Sequence, residues 1–234
     1  MKKISNIIVL LLMVFIFSSF VSALPIGAEV INQSTSRISV DAAAGNHSAI
    51  AGNVTELLVT AISATQSWQG YFGNVSGTIM LADSNDNVMY NWSLASPNGE
   101  IYATNSSNVD WSGIQCYDEA NNMTFFESMF GIEPNDADGI NETFNLNNHP
   151  EFVTNSILFA AGTCDNTKLF DSNGIGTFDE VLLTDGSNLI FTSLLLEDAN
   201  GFDNVPHDFE MIVLEDGHGT DIATTTYYFW VELG

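Results

Sequence analysis

Beyond residue 23 this chain keeps two basic side chains, Arg37 and Lys168, against 29 carboxylates. A fold made from that sequence cannot be held by salt bridges. With a net charge of about −27 past residue 23, it cannot bind nucleic acid or an anionic membrane surface by charge. Its polar surface must come from Asn, Ser, Thr, Gly, carboxylates and attached sugar. That describes a passive extracellular surface better than an enzyme.

The first 23 residues supply an address. Lys2 and Lys3 precede an apolar run, Ile7 to Phe17, and Val21-Ser22-Ala23 offers small residues for cleavage after Ala23. This is the pattern of a secretory signal peptide over 1–23. The alternative, a membrane anchor, suffers from Asn6 and the Ser18-Ser19 pair, which leave the run short of a span. Lys3-Ile4 lacks the small residue of a pilin-type site, and no Cys stands near the cleavage point for a lipid anchor. No second hydrophobic span follows, so the expected product has no membrane span. It is secreted, then released or held at the cell surface by other proteins.

Cys116 and Cys164 are the two cysteines. In an oxidising compartment they read as one disulfide, the alternative being two buried thiols. The Asn-x-Ser/Thr sequon occurs at Asn32, Asn46, Asn53, Asn74, Asn91, Asn105, Asn122 and Asn141, and nowhere after Thr143. Residue frequency alone would give about three in this stretch, so N-glycosylation of the N-terminal half is expected at some of them. Carboxylates show the reverse bias, with seven before Tyr117 and 22 after it.

The pattern predicts an all-β fold, a two-layer antiparallel β-sandwich with one short helix and long acidic loops. Residues 24–52 read as an extended N-terminal arm with brief alternation at Ile38 and Val40, and 53–234 as the sandwich domain. Two β modules split near residue 116 are the alternative. Val54 to Ala64 is apolar, β-branched and free of proline, the composition of a buried strand. Thr78–Leu81, Val88–Leu94 and Glu100–Thr104 are separated by Ser84-Asn85-Asp86-Asn87 and Ser96-Pro97-Asn98-Gly99, which predicts a three-strand meander. Glu119 to Phe130 carries Met123, Phe126 and Phe130 at helical spacing. Further strands are expected over Ser156–Thr163, Phe178–Leu183, Leu189–Leu196, Phe209–Leu214 and Thr224–Leu233.

Among candidate sites, acidic loops offer oxygen ligands for Ca2+: Asp136 and Asp138 in one, and Asp171, Asn173 and Asp179 in another. The second is an incomplete EF-type loop, since Ile175 and Leu182 stand where oxygen donors belong. A solvated turn is the plainer alternative for each. The four histidines, His47, His149, His207 and His218, form no HxH or HxxxH pair, and no catalytic constellation is expected. Trp68-Gln69-Gly70-Tyr71-Phe72-Gly73 is the densest aromatic cluster. With Trp92 and Trp111, its Trp68 and Tyr71 form a candidate platform for stacking sugar rings, against the plainer use as core. Alternation places Trp68 and Phe72 on one strand face and Tyr71 on the other.

The stretch Trp68 to Gly77, WQGYFGNVSG, and the ending Thr224 to Val231, TTTYYFWV, resemble segments in secreted, sequon-rich cell-surface proteins of archaea. The resemblance implies an extracellular address and a β fold, and no site. The expected function is that of an extracellular structural or adhesive surface protein, a filament or surface-layer subunit. It would assemble by strand donation from the arm, with partners among its own copies, other surface proteins and glycans. A calcium-dependent carbohydrate-binding module is the alternative.

Overall fold

The computed structural model describes residues 24–32, 34–36, 44–93, 98–117, 123–133, 136–215 and 224–233. The leader 1–23, Arg37, Ile38, Val40, Pro97, Asn122 and His218 lie outside them. The strands are β1 (Ile26–Gly27), β2 (Trp68–Gly73), β3 (Thr78–Ala82), β4 (Val88–Ser93), β5 (Gly99–Thr104), β6 (Gln115–Cys116), β7 (Phe152–Thr154) and β8 (Ile157–Phe159). They continue as β9 (Asn166–Phe170), β10 (Gly176–Thr184), β11 (Leu189–Leu194), β12 (Ala199–Asn200), β13 (Pro206–His207), β14 (Phe209–Leu214) and β15 (Tyr228–Leu233). Helix α1 is Met123–Met129 and α2 is Ile140–Thr143, so a second short helix joins the one expected.

The architecture is an all-β antiparallel sandwich. One seven-stranded sheet runs β1-β15-β5-β11-β10-β6, with β9 also paired to β10. The second layer is a two-stranded ribbon, β2 with β14, in which Trp68 faces Leu214 and Gly73 faces Phe209 in register. Between the layers lie Ala103, Leu182, Phe191, Met211, Val213 and Leu214, closed at one end by Phe144 of the α2 turn and Phe130 after α1. The far face of the large sheet is also buried, by the β7–β8 hairpin: Phe152 and Phe159 stack at 4.8 Å over Tyr102, Val181, Leu183 and Ile190. Strand β11, Leu-Ile-Phe-Thr-Ser-Leu, is therefore buried at every residue. A strand covered on both faces reads as a nearly continuous apolar run, which is what β11 offers.

Strands from either side of residue 116 share this sheet, because β5 lies between β15 and β11. The meander expected over 78–104 is corrected accordingly. β3 and β4 form a hairpin, while β5 pairs with β11 and β15 instead of β4. Gly99 makes the approach of β15 feasible: its φ is 130°, and a Cβ there would strike the Glu232 carbonyl.

The largest departure concerns Val54 to Ala64. The described chain forms no strand there, and every residue from Ala51 to Ser63 is exposed. Val54 is 101%, Leu58 92% and Val59 83% exposed. Composition alone makes a run fit for burial; a partner strand must supply it, and none is in place among the described residues.

The disulfide Cys116–Cys164 is formed, with Cα atoms 5.1 Å apart. It ties β6, which pairs with β10 at Leu183, to the loop before β9. Buried His149 lies beneath that loop. Its Nε2 accepts the Cys164 N–H at 3.0 Å, and its Nδ1 lies 2.7 Å from the Pro150 carbonyl.

Candidate functional site

Within the first half, the described stretch 44–93 holds three carboxylates (Glu56, Asp83 and Asp86) out of 29, and no Lys or Arg. Its apolar side chains are turned outward at two places separated by β2.

The first is the extended run Val54–Ile62, with Leu57, Leu58 and Val59 exposed between them. The second is the β3–β4 hairpin. Its turn is set by Asp83, whose Oδ1 accepts the N–H groups of Asn85 at 2.9 Å and Asn87 at 3.0 Å, while Asp86 takes φ 63°. These are the residue types a tight turn requires. Register then sorts the side chains. Ile79 pairs with Trp92 and Leu81 with Tyr90, which puts all four on one face, with the Tyr90 and Trp92 rings 4.8 Å apart. Met80 pairs with Asn91 on the opposite face, which also carries Thr78. Every side chain from Thr78 to Trp92 is exposed. The face with Ile79, Leu81, Tyr90 and Trp92 is apolar and bare, and exposed Met80 adds apolar surface on the other side.

Sequence reasoning found these strands and their turn but missed the face. The signal was there: Ile79 and Leu81, then Tyr90 and Trp92, alternate with period two.

Both ends of β2 are pinned. At its start, the Thr65 hydroxyl hydrogen-bonds the Asp138 carboxylate, Trp68 Nε1 donates to the Asp138 carbonyl at 2.7 Å, and the Glu215 N–H donates to the Ser67 carbonyl at 2.8 Å. At its end, the Asp208 N–H donates to the Gly73 carbonyl at 2.9 Å and the Asp208 carboxylate accepts the Val75 N–H at 2.8 Å.

Trp68 and Tyr71, the expected sugar platform, pack against the core. Trp68 lies 6.0 Å from Phe144 and 6.2 Å from Phe191, and Tyr71 lies 5.3 Å from Phe229. The expected alternation is corrected: Trp68 and Tyr71 both turn to the core, and Phe72 turns out against Phe202 and His207. Trp68 opens the strand, where its bond to Asp138 draws the indole toward the α2 end.

Other aromatic rings do meet at the surface. Half-buried Trp111 and Trp230 touch at 5.6 Å in a polar trough of about 640 Å³ shared with Asp110, Asp185 and Asn188. Asp185 binds the trough's two loops together by accepting from the Asp110 N–H at 3.0 Å and Asn188 Nδ2 at 2.8 Å.

The acidic candidates stand apart. Asp171 Oδ1 accepts the N–H groups of Asn173 at 2.8 Å and Ile175 at 2.9 Å, and these bonds, led by Ile175, hold its carboxyl below the usual range. Asp179 instead takes Lys168 Nζ on both oxygens at 2.7 Å. Asp136 accepts the Glu133 N–H at 2.9 Å, and Asp138 is committed to Thr65. Among the described residues no three His, Cys, Asp or Glu gather as a metal-binding group. His47 is exposed, and buried His207 lies 3.0 Å from Asp203. Of the seven described sequon asparagines, Asn32, Asn46, Asn53, Asn74, Asn91 and Asn105 are exposed and Asn141 is half-buried.

Compared with known proteins, the chain matches no family model, no curated protein and no solved structure.

Proposed function

We propose that this chain is an extracellular structural or adhesive surface protein that associates with its own copies as a filament or surface-layer subunit. One observation carries the reading. The apolar side chains outside the sandwich are concentrated in the carboxylate-poor stretch 44–93, while 22 carboxylates follow residue 117. Large bare apolar patches on folded proteins mark interaction sites. Copies of about −27 charge approach most easily where that charge is thinnest.

The disulfide suits an oxidising compartment, in line with the leader read over 1–23. Exposed sequons suit an N-glycosylated surface, and the resemblance at 68–77 and 224–231 points to the same address. The arm has a part in this reading. Its strand β1 holds the β15 edge by two residues, Ile26 opposite Val231 and Gly27 opposite Trp230. A short ladder of this kind is readily exchanged for the arm of a neighbouring copy, which is strand donation. Calcium enters as a counter-ion to the acidic half.

The test is light scattering and electron microscopy of residues 24–234 in calcium-containing buffer. Assembly is expected, with growth lost and the sandwich still folded when Leu24–Val40 is deleted. A full-length protein that stays monomeric overturns the reading.

A second reading, carbohydrate binding, is favoured by the trough at Trp111 and Trp230, since paired rings beside amides and carboxylates suit a sugar. Glycan-array binding abolished by Trp111→Ala would support it, and flat binding would dispose of it.

A further inference from the structure

We propose that Val54–Ile62 of one copy lies on the bare hairpin face of the next, Ile79, Leu81, Tyr90 and Trp92, as donor and acceptor of a head-to-tail contact. The inference rests on the self-association reading and gives it surfaces and a direction.

Four observations carry it. Both features are apolar, and both are exposed throughout. A two-stranded hairpin in water is marginal unless something packs on it, so the face formed by Tyr90 and Trp92 calls for cover. A run that is apolar at Leu57, Leu58 and Val59 in succession suits a strand enclosed on both sides, and here it has neither side enclosed.

The second copy is singled out as occupant by charge and by the sequons. The donor and acceptor lie within the stretch that holds three of 29 carboxylates and no cation, so an acidic partner finds no cation to pair with and a basic one finds only Glu56, Asp83 and Asp86. Asn53 precedes the donor run, Asn74 lies between the two features, and Asn91 points to the hairpin's other face. Sugar on any of the three would flank the apolar surfaces and leave them bare.

The direction follows from β2. The donor leaves the sandwich at the Thr65–Asp138 anchor and the hairpin leaves at the Gly73–Asp208 anchor. Six strand residues place these exits about 17–20 Å apart, at opposite ends of one rigid strand. Complementary patches at opposite ends make a heterologous contact, which repeats into an open chain of subunits unless the rotation closes a ring.

The experiment uses full-length 24–234 and two variants, Leu58→Asp in the donor and Tyr90→Ser/Trp92→Ser in the acceptor. All three sites are exposed, so the sandwich should keep its thermal midpoint and its disulfide. Expected in analytical ultracentrifugation is association of the parent, weakened at least about thirtyfold in each variant alone. Mixing the two variants should then recover part of that association, because one retains the donor and the other the acceptor. An acceptor variant that is monomeric beside a donor variant that still dimerises means hairpin meets hairpin, and overturns the proposal. If both variants assemble like the parent, the proposal falls and arm exchange stands. Binding to neutral lipid vesicles with no self-association overturns both.

Discussion

Glu100 and Glu232 face each other directly across the β5–β15 ladder, both buried and with no cation beside them among the described residues. Glu232 is held as an acceptor by the Tyr102 hydroxyl at 3.1 Å and the Asn155 N–H at 3.0 Å. Burial, and then the charge of Glu232, push Glu100 up to about 8. Burial also raises Glu232 and lifts fully enclosed Glu180 well above its ordinary value. A chain with two cations past residue 23 thus fills part of its interior with carboxyl groups that burial biases toward the protonated form.

The pH dependence follows. A carboxyl raised from its ordinary value to about 8 binds more protons folded than unfolded. Its contribution is complete below the ordinary carboxylate range and is lost as pH rises through about 8. The thermal midpoint should therefore fall between about pH 5 and about pH 9, the opposite of a protein held by salt-bridged carboxylates. Glu100→Gln, which imitates the protonated form, should flatten that slope and stabilise the protein at about pH 9 by a few kcal/mol, with little effect at about pH 5. Calorimetry across that range decides it.

Reduction of Cys116–Cys164 releases a loop with a sequence separation of 48. A closure of that length is worth about 4 kcal/mol in the chain-entropy account. The double variant Cys116→Ala/Cys164→Ala should show a loss of about 2–5 kcal/mol in urea unfolding. Because Cys164 lies in the layer under the β7–β8 hairpin, hydrogen exchange there should rise most.

Lys168 is bound to Asp179 through both carboxylate oxygens at 2.7 Å, the one Lys–carboxylate pair among the described residues. Lys168→Met removes the partner from a mostly buried carboxylate that also accepts from Asn166 at 3.1 Å. A loss of about 1–3 kcal/mol is expected. Asp179→Asn in the same background should recover part of it, as a double-mutant cycle would measure.

Intact-mass and glycopeptide analysis of protein purified from its native source should find sugar on exposed sequons such as Asn46, Asn74 and Asn91 before half-buried Asn141. Occupancy confined to Asn141 would contradict the surface assigned to the first half.

Much of the sandwich was legible in the sequence. Phe209–Leu214 is a strand over the bounds its pattern gives, Leu189–Leu194 reads as a buried run, and Asp83 to Asn87 declares its turn. Phe126 and Phe130 turn to the core as their helical spacing predicts, although Met129 is exposed; the expected start at Glu119 lies outside the described residues. Pairing was less legible, because it is non-local. Nothing near Gly99 tells β5 to join β11, 90 residues on, in place of β4. Strand β9 was hidden by its polar start, Asn166-Thr167-Lys168, in which Asn166 serves Asn148 and Lys168 serves Asp179. The candidate surface was obscured for a related reason. Val54–Ile62 has the composition of an interior strand, and composition does not say whose interior.

The central claim, that 54–62 and 78–92 form the association surface, is tested most directly by hydrogen exchange of the protein at increasing concentration. Protection should grow at those two segments while β10 and β11, already enclosed, stay unchanged. Exchange that stays fast at both segments while the particles demonstrably grow would contradict the account.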